Sequence, residues 1–110
     1  MQDSIVILIT APSEEVAGTI AKTLVGAQLA ACANIIRNIR SIYRWQGNIE
    51  DDTEVLMIVK TRRELFSLLE QKVRELHPYT TPEIIALPIT DGSKAYLSWL
   101  HAETEGNEEQ

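Results

Sequence analysis

Runs of aliphatic residues without polar alternation constrain the fold of this chain more than any other feature. Ile5–Ile9 is wholly apolar and β-branched apart from Leu8, which predicts a strand buried on both faces. Val55–Val59 and Ile84–Leu87 are also wholly apolar. A sheet with one face in water alternates apolar and polar residues instead. The sequence therefore predicts a sheet that needs cover on both faces.

Two amphipathic segments are suited to cover one of these faces. Ser13 can cap a helix that ends near Gly26, and positions 16, 20 and 24 of this helix are apolar. A second helix is predicted from Arg62 to Leu76 and ends before Pro78, because the residue preceding a proline avoids the helical region. Both helices are expected to pack on the same face of the sheet.

The order of the elements predicts the fold class. Apolar positions change phase between Ile36 and Ile39, which indicates a bulge in a long strand, and Gln46–Asn48 is a hairpin signal. The predicted strands are 5–9, 31–45, 54–61 and 83–89, and the predicted helices are 13–26, 62–76 and 93–102. The order β-α-β-β-α-β with a short C-terminal helix predicts an α+β, ferredoxin-like split sheet with two helices on one face.

The second face of this sheet is predicted to be covered by other copies of the chain. The short C-terminal helix can hide one or two of the predicted strands, which leaves a larger apolar patch than soluble monomers usually expose. Burying one Ile or Leu side chain stabilises by about 1.5–3 kcal/mol. We therefore expect a tight homo-oligomer.

Length and charge restrict the domain organisation and the partners. The 110 residues include 10 basic and 16 acidic ones, and four of the acidic residues lie within 103–110. We expect a single domain over 1–102 and an acidic, disordered tail over 103–110. The body lacks the basic excess of a nucleic-acid-binding surface, so nucleic acid is not expected as a partner.

Cysteine content and hydropathy restrict the class further. Cys32 is the only cysteine, which excludes an intrachain disulfide framework and a four-thiolate metal site. The first apolar run is too short for a signal peptide or a membrane span. We expect a cytoplasmic protein with no membrane partner.

Two residues are the candidate metal ligands. His77 ends the second helix, and its imidazole suits first-row divalent metals, although interaction with the last carbonyls of the helix is the alternative. Cys32 is a soft ligand in an apolar Ala-Ala-Cys-Ala context, where a buried, inert thiol is the alternative. The acidic segment 50–54 is interpreted as a solvated hairpin, because loose carboxylates bind cations weakly.

A second candidate site is a ligand cleft between subunits. Cations and aromatic residues of the long strand and its neighbours could bind a small anion there, although surface ion pairing with the acidic hairpin is the alternative. The candidate cleft residues are Arg37, Tyr43, Arg44, Trp45, Lys60, Tyr79 and Glu83. No serine, cysteine or lysine has a recognisable base partner, so we expect that the chain is not an enzyme.

Seven segments in order resemble one family. The chain is similar, over about residues 5–100, to the CutA divalent-cation tolerance proteins. The resemblance rests on Thr10-Ala11-Pro12, Leu29–Ile35, Ser41–Gly47, Lys60-Thr61, His77-Pro78-Tyr79, Pro82–Ile85 and Tyr96–Leu100. It implies a cytoplasmic, PII-like homotrimer, without an established enzymatic activity, that is linked to tolerance of copper and other divalent metals.

The resemblance also bears on the metal site. Copper ligands proposed in some members are a cysteine before Thr-Ala-Pro and a His-His pair before Pro-Tyr. This chain has Ile9 and Leu76-His77 there, so the resemblance implies no obligatory cofactor and only weak binding of copper(II) or another divalent ion through His77, with Cys32 as a lesser candidate. The alternatives are a PII-like sensor that binds a small anion or a partner protein in inter-subunit clefts, and a scaffold that presents the acidic tail.

Overall fold

The computed structural model describes residues 3–107 and confirms the predicted α+β fold. Four strands form one antiparallel sheet in the order β2-β3-β1-β4. The strands are β1 (Ser4–Ala11), β2 (Cys32–Trp45), β3 (Asn48–Arg62) and β4 (Ile84–Pro88), and the helices are α1 (Glu14–Gly26), α2 (Phe66–Leu76) and α3 (Lys94–Thr104). Within the described residues no helix is long and apolar enough to span a membrane.

The β2–β3 hairpin is the longest unit of the sheet. Its turn places Gln46 and Gly47 at positive φ, as tight hairpin turns require, and the register of β2 shifts between Ile36 and Ile39 as predicted. β3 begins six residues before the predicted start at position 54. The acidic residues there have low strand propensity, but pairing with β2 overrides it.

The two faces of the sheet differ in cover. α1 and α2 pack on the face that carries Ile7 and Met57, both fully buried. On the opposite face Ile36, Ile85 and Leu87 remain 44%, 49% and 48% exposed. These three residues share that face because each pairs with an inner-strand residue of the same side, Leu56, Leu8 and Val6. The chain therefore leaves an apolar strip across this face, which runs from Ile36 on β2 through Leu56, Leu8 and Val6 to Ile85 and Leu87 on β4, in contact with solvent.

The C-terminal helix differs from the prediction. α3 continues to Thr104, which is buried, and residues 105–107 form a 3₁₀ turn. The predicted disordered tail from 103 is thus wrong in its first part, and residues 108–110 lie outside the described residues. The physical reason is Arg62, 1% exposed, whose Nε donates to Thr104 Oγ1 and whose Nη2 donates to the Thr104 carbonyl, both at 2.8 Å.

We predict that Thr104→Val lowers the free energy of unfolding by about 1–3 kcal/mol, because the change leaves a buried guanidinium donor without its hydroxyl acceptor. Chemical denaturation measures this difference. The matched control is Thr23→Val, which removes a hydroxyl bonded to the Thr19 carbonyl of its own helix and is expected to change stability by less than about 0.5 kcal/mol. Equal losses in both variants would contradict this role for Arg62.

Candidate functional site

A cleft lies between the β2–β3 hairpin and the segment that connects α2 to β4. Its volume is about 950 Å³. The hairpin contributes aromatic, hydroxyl and carboxylate side chains, and the connecting segment contributes a second tyrosine and threonines. The lining residues are Thr10, Arg40, Ser41, Ile42, Tyr43, Trp45, Asp52, Glu54, Pro78, Tyr79, Thr80, Thr81 and Glu83.

His77 fixes the start of the connecting segment. Its backbone N–H donates to the Val73 carbonyl at 2.8 Å and its own backbone is extended, which ends α2. The buried ring places Nε2 2.7 Å from the Thr10 carbonyl, and Nδ1 accepts the Tyr79 N–H at 3.2 Å. Because a carbonyl only accepts and an N–H only donates, these two contacts fit the tautomer that carries its proton on Nε2.

Tyr79 forms one wall of the cleft, and contacts with His77 hold it in position. Its ring packs against the imidazole with centroids 4.8 Å apart, and its hydroxyl donates to Glu54 Oε2 at 3.1 Å. Burial and the Glu54 carboxylate both raise the pKa of Tyr79. The phenol therefore stays protonated and holds its hydrogen bond to Glu54.

Tyr43 forms a similar pair on the hairpin. Its hydroxyl donates to Asp52 Oδ2 at 2.7 Å, and this hydrogen bond is the main cause that raises the pKa of Tyr43 to about 12. Asp52 and Glu54 are two residues apart on β3, so both carboxylates lie on one face. The hairpin thus presents two carboxylates that are each bonded to a phenol.

The electrostatic character of the cleft is acidic. Arg40 lines it, but its Nε and Nη2 bond both oxygens of Asp51, at 2.9 and 2.7 Å. Arg40 is thus engaged in surface ion pairing with the acidic hairpin, which is the alternative to anion binding that the sequence left open. Asp52, Glu54 and Glu83 then remain as the lining charges without a cationic partner among residues 3–107.

The two predicted metal ligands do not come together in this chain. Cys32 is opposite Lys60 on β3, whereas the Thr10 carbonyl that binds His77 belongs to a residue opposite Leu56, roughly 13 Å away along the strand. Cys32 is partly buried near Lys60 Nζ, 4.0 Å from its sulfur. In the part of the chain that is described, no group of three or more His, Cys, Asp or Glu residues could hold a metal ion.

The predicted ligand cleft is assembled only in part. Tyr43, Trp45, Tyr79 and Glu83 line one cavity. The predicted cations do not join them: Lys60 bonds Asn34, Arg37 pairs with Glu14 at 3.6 Å, and Arg44 is exposed outside the lining. Within one chain the predicted cations and aromatic residues therefore do not share a cavity, and the cleft between subunits stays a prediction.

Sequence reasoning missed the residues that give the cleft its charge. Asp52 and Glu54 were interpreted as part of a solvated hairpin, yet Glu54 is only 6% exposed. Their i, i+2 spacing is a signal that both belong to one face of a strand. That signal becomes useful only when β3 is known to begin at Asn48.

The four-stranded split sheet with helices on one face defines an α+β protein of the ferredoxin-like class, with an aromatic and acidic cleft at its hairpin. Comparison with known proteins identifies the family. The family model described as CutA1 divalent ion tolerance protein matches residues 5–103. The chain therefore belongs to the CutA1 family.

Individual relatives agree with this assignment. The divalent-cation tolerance protein CutA of Thermus thermophilus is 57% identical over 99 residues, which are 90% of this chain and 96% of that protein. The mouse protein CutA is 50% identical over 97 residues, 88% of this chain, but the match spans only 55% of the mouse protein.

Solved structures show the same fold. The Thermus thermophilus structure superposes with a TM-score of 0.90 at 55% identity, covering 92% of this chain and 98% of that chain. The Archaeoglobus fulgidus CutA structure gives a TM-score of 0.89 at 48% identity, covering 92% and 98% of the two chains. Both relatives carry divalent cation tolerance in their names.

We predict that Asp52→Asn returns the pKa of Tyr43 from about 12 toward its ordinary value, because the amide does not stabilise the protonated phenol as the carboxylate does. Ultraviolet titration of tyrosine ionisation, with Tyr43→Phe to assign the signal, measures the shift. Asp51→Asn is the control, since Asp51 bonds Arg40 instead, and an equal shift in both variants would contradict the assignment.

The same pair sets a pH dependence of stability. The folded pKa of Tyr43 lies above the ordinary value of 10.0, so its stabilising effect is complete below that pH and is lost as the pH rises through about 12. Asp52→Asn is expected to remove this part of the alkaline dependence.

Proposed function

We propose that this chain is a non-enzymatic protein that acts in tolerance of divalent metal ions as a homotrimer. The observation that carries the proposal is the family match over residues 5–103, together with relatives that are named for divalent-cation tolerance and not for a reaction. The match extends over 96% of the Thermus thermophilus protein.

The uncovered sheet face supports the oligomer. The exposed members of the apolar strip are Ile36 on edge strand β2 and Ile85 and Leu87 on edge strand β4, on either side of the inner strands β1 and β3. α3 contacts β3 and, to a smaller extent, β1, and it leaves this strip in solvent. Association with further copies would bury the strip at about 1.5–3 kcal/mol per large side chain.

Copper is the proposed metal, and the contacts of its candidate ligands support weak binding. Coordination by His77 requires the ring to give up the bond to the Thr10 carbonyl or the one from the Tyr79 N–H, since each ring nitrogen is engaged. The loss of such a buried hydrogen bond costs about 1–3 kcal/mol. Cys32 is partly buried and contacts Lys60 and Asn34, so a metal ion would compete with these contacts too.

A PII-like sensor of a small anion has less support. The cleft presents Asp52, Glu54 and Glu83, and its single lining arginine is bound to Asp51. An anion entering the cleft would meet repulsion from these carboxylates. A partner protein or a cationic ligand fits this electrostatic character better.

For the assembly we predict a mass of three chains by light scattering at micromolar concentration, and dissociation of the trimer by Leu87→Glu, which places a charge on the apolar strip. Leu68→Glu is the matched control, because Leu68 is similarly exposed but lies on α2, away from the strip. A one-chain mass for the unmodified protein would overturn the proposed trimer, and dissociation by Leu68→Glu would show that the effect is not specific to the strip.

For the metal we predict weak, saturable heat on calorimetric titration with copper(II), reduced strongly by His77→Ala and slightly by Cys32→Ser. Thermal melts of each variant verify that the fold is intact. Isotherms identical to that of the unmodified protein would exclude both residues as ligands. Saturable copper binding that persists in the double variant would move the site to the carboxylates of the cleft.

A further inference from the structure

Glu54 is a buried acid without a counter-charge. Glu54 is 6% exposed and lines the cleft. Within residues 3–107 the hydrogen-bond partner of its carboxylate is the neutral hydroxyl of Tyr79. No lysine, arginine or histidine nitrogen of the described chain lies within ion-pair distance of it. A buried carboxylate is normally paired with a cation, because desolvation without a partner is costly. The position is therefore prepared for a cation that comes from outside the chain.

The walls around this carboxylate also favour a cation. In the single chain Tyr43, Trp45 and Tyr79 line the cleft with about two fifths of their surface exposed, so their ring faces can meet a ligand. The phenol hydroxyls of the two tyrosines are fixed by Asp52 and Glu54, which holds the rings in place. Aromatic faces attract ammonium and guanidinium groups. Carboxylates bind the same groups through charge-assisted hydrogen bonds.

The dimensions of the cleft favour an organic ligand over a bare metal ion. A hard cation needs several oxygen ligands converging at short distance, and no cluster of three acidic or imidazole groups that could hold an ion is found among residues 3–107. A volume of about 950 Å³ lies in the range of small-molecule sites. Hydroxyls of Ser41 and Thr81 line the same space and can bond a polar chain.

We propose that this cleft binds a small organic cation, with Glu54 holding a primary ammonium or guanidinium group beside the ring of Tyr79 and with Tyr43 and Trp45 lining the cleft farther along the hairpin. Asp52 and Glu83 provide further negative charge for a second amino group. Arg40 does not oppose the ligand, since its guanidinium is bound in a fork to Asp51. The site does not depend on the metal role proposed above.

The test is calorimetric titration of the full chain with agmatine, which carries one guanidinium and one primary ammonium group. Binding at millimolar concentration or tighter is expected. Glu54→Gln keeps the shape and an acceptor for Tyr79 but removes the charge, and it is expected to weaken binding about tenfold or more. Trp45→Leu removes an aromatic face at the hairpin end of the cleft, where the second cationic group of agmatine would lie, and is expected to weaken binding several-fold.

Glu75→Gln is the matched control. It makes the same change of net charge on α2, where Glu75 pairs with Lys72 at the surface, and it is expected to bind agmatine like the unmodified protein. Thermal melts of all variants separate loss of binding from loss of fold, and Trp45→Leu keeps the test decisive if Glu54→Gln is unstable.

Three results would overturn the proposal: no agmatine binding at millimolar concentration, undiminished binding in Glu54→Gln, or an equal loss in Glu75→Gln. A protein that forms trimers and binds copper but not agmatine would refute this inference and leave the proposed function intact. Agmatine binding by a protein that gives no heat of binding with copper(II) would support this inference and contradict the proposed copper binding.

Discussion

The register of β2 on β3 is the constraint on which the site depends. Before the bulge Ile36 lies opposite Leu56, and after it Ile39 lies opposite Glu54, so β2 contains one extra residue. A shift of one residue moves every following side chain to the other face. The bulge therefore places Tyr43 on the face that carries Asp52 and Glu54, where the phenol reaches a carboxylate.

On the other side of the cleft lies a histidine whose two ring nitrogens both form hydrogen bonds with the backbone. His77 connects the end of α2 to the Thr10 carbonyl of β1 and to the backbone of Tyr79. Its ring contacts determine where Tyr79 stands, and Tyr79 in turn bonds Glu54. A residue that looks like a metal ligand in the sequence thus acts in this fold as a connection between helix, sheet and cleft wall.

Charge and apolar surface occupy adjoining regions of the uncovered face of the sheet. The cleft gathers carboxylates whose partners are phenols, whereas the strip formed by Ile36, Ile85 and Leu87 is apolar. Burial of the strip stabilises in proportion to its area. Association through the strip and recognition in the cleft therefore rest on different forces, although Glu54 and Leu56 are two residues apart on β3 and place both regions on one face of the sheet.

The sequence by itself determined the fold, because the aliphatic runs, the capped amphipathic helices and the hairpin signal at 46–48 are local patterns that agree with one another. It also located the bulge, since a change of phase is visible along a single strand. It missed the burial of Glu54, the engagement of His77 and the ordered end of α3 at Thr104. Each of these depends on a partner far along the chain, and only tertiary structure brings such partners within hydrogen-bond distance.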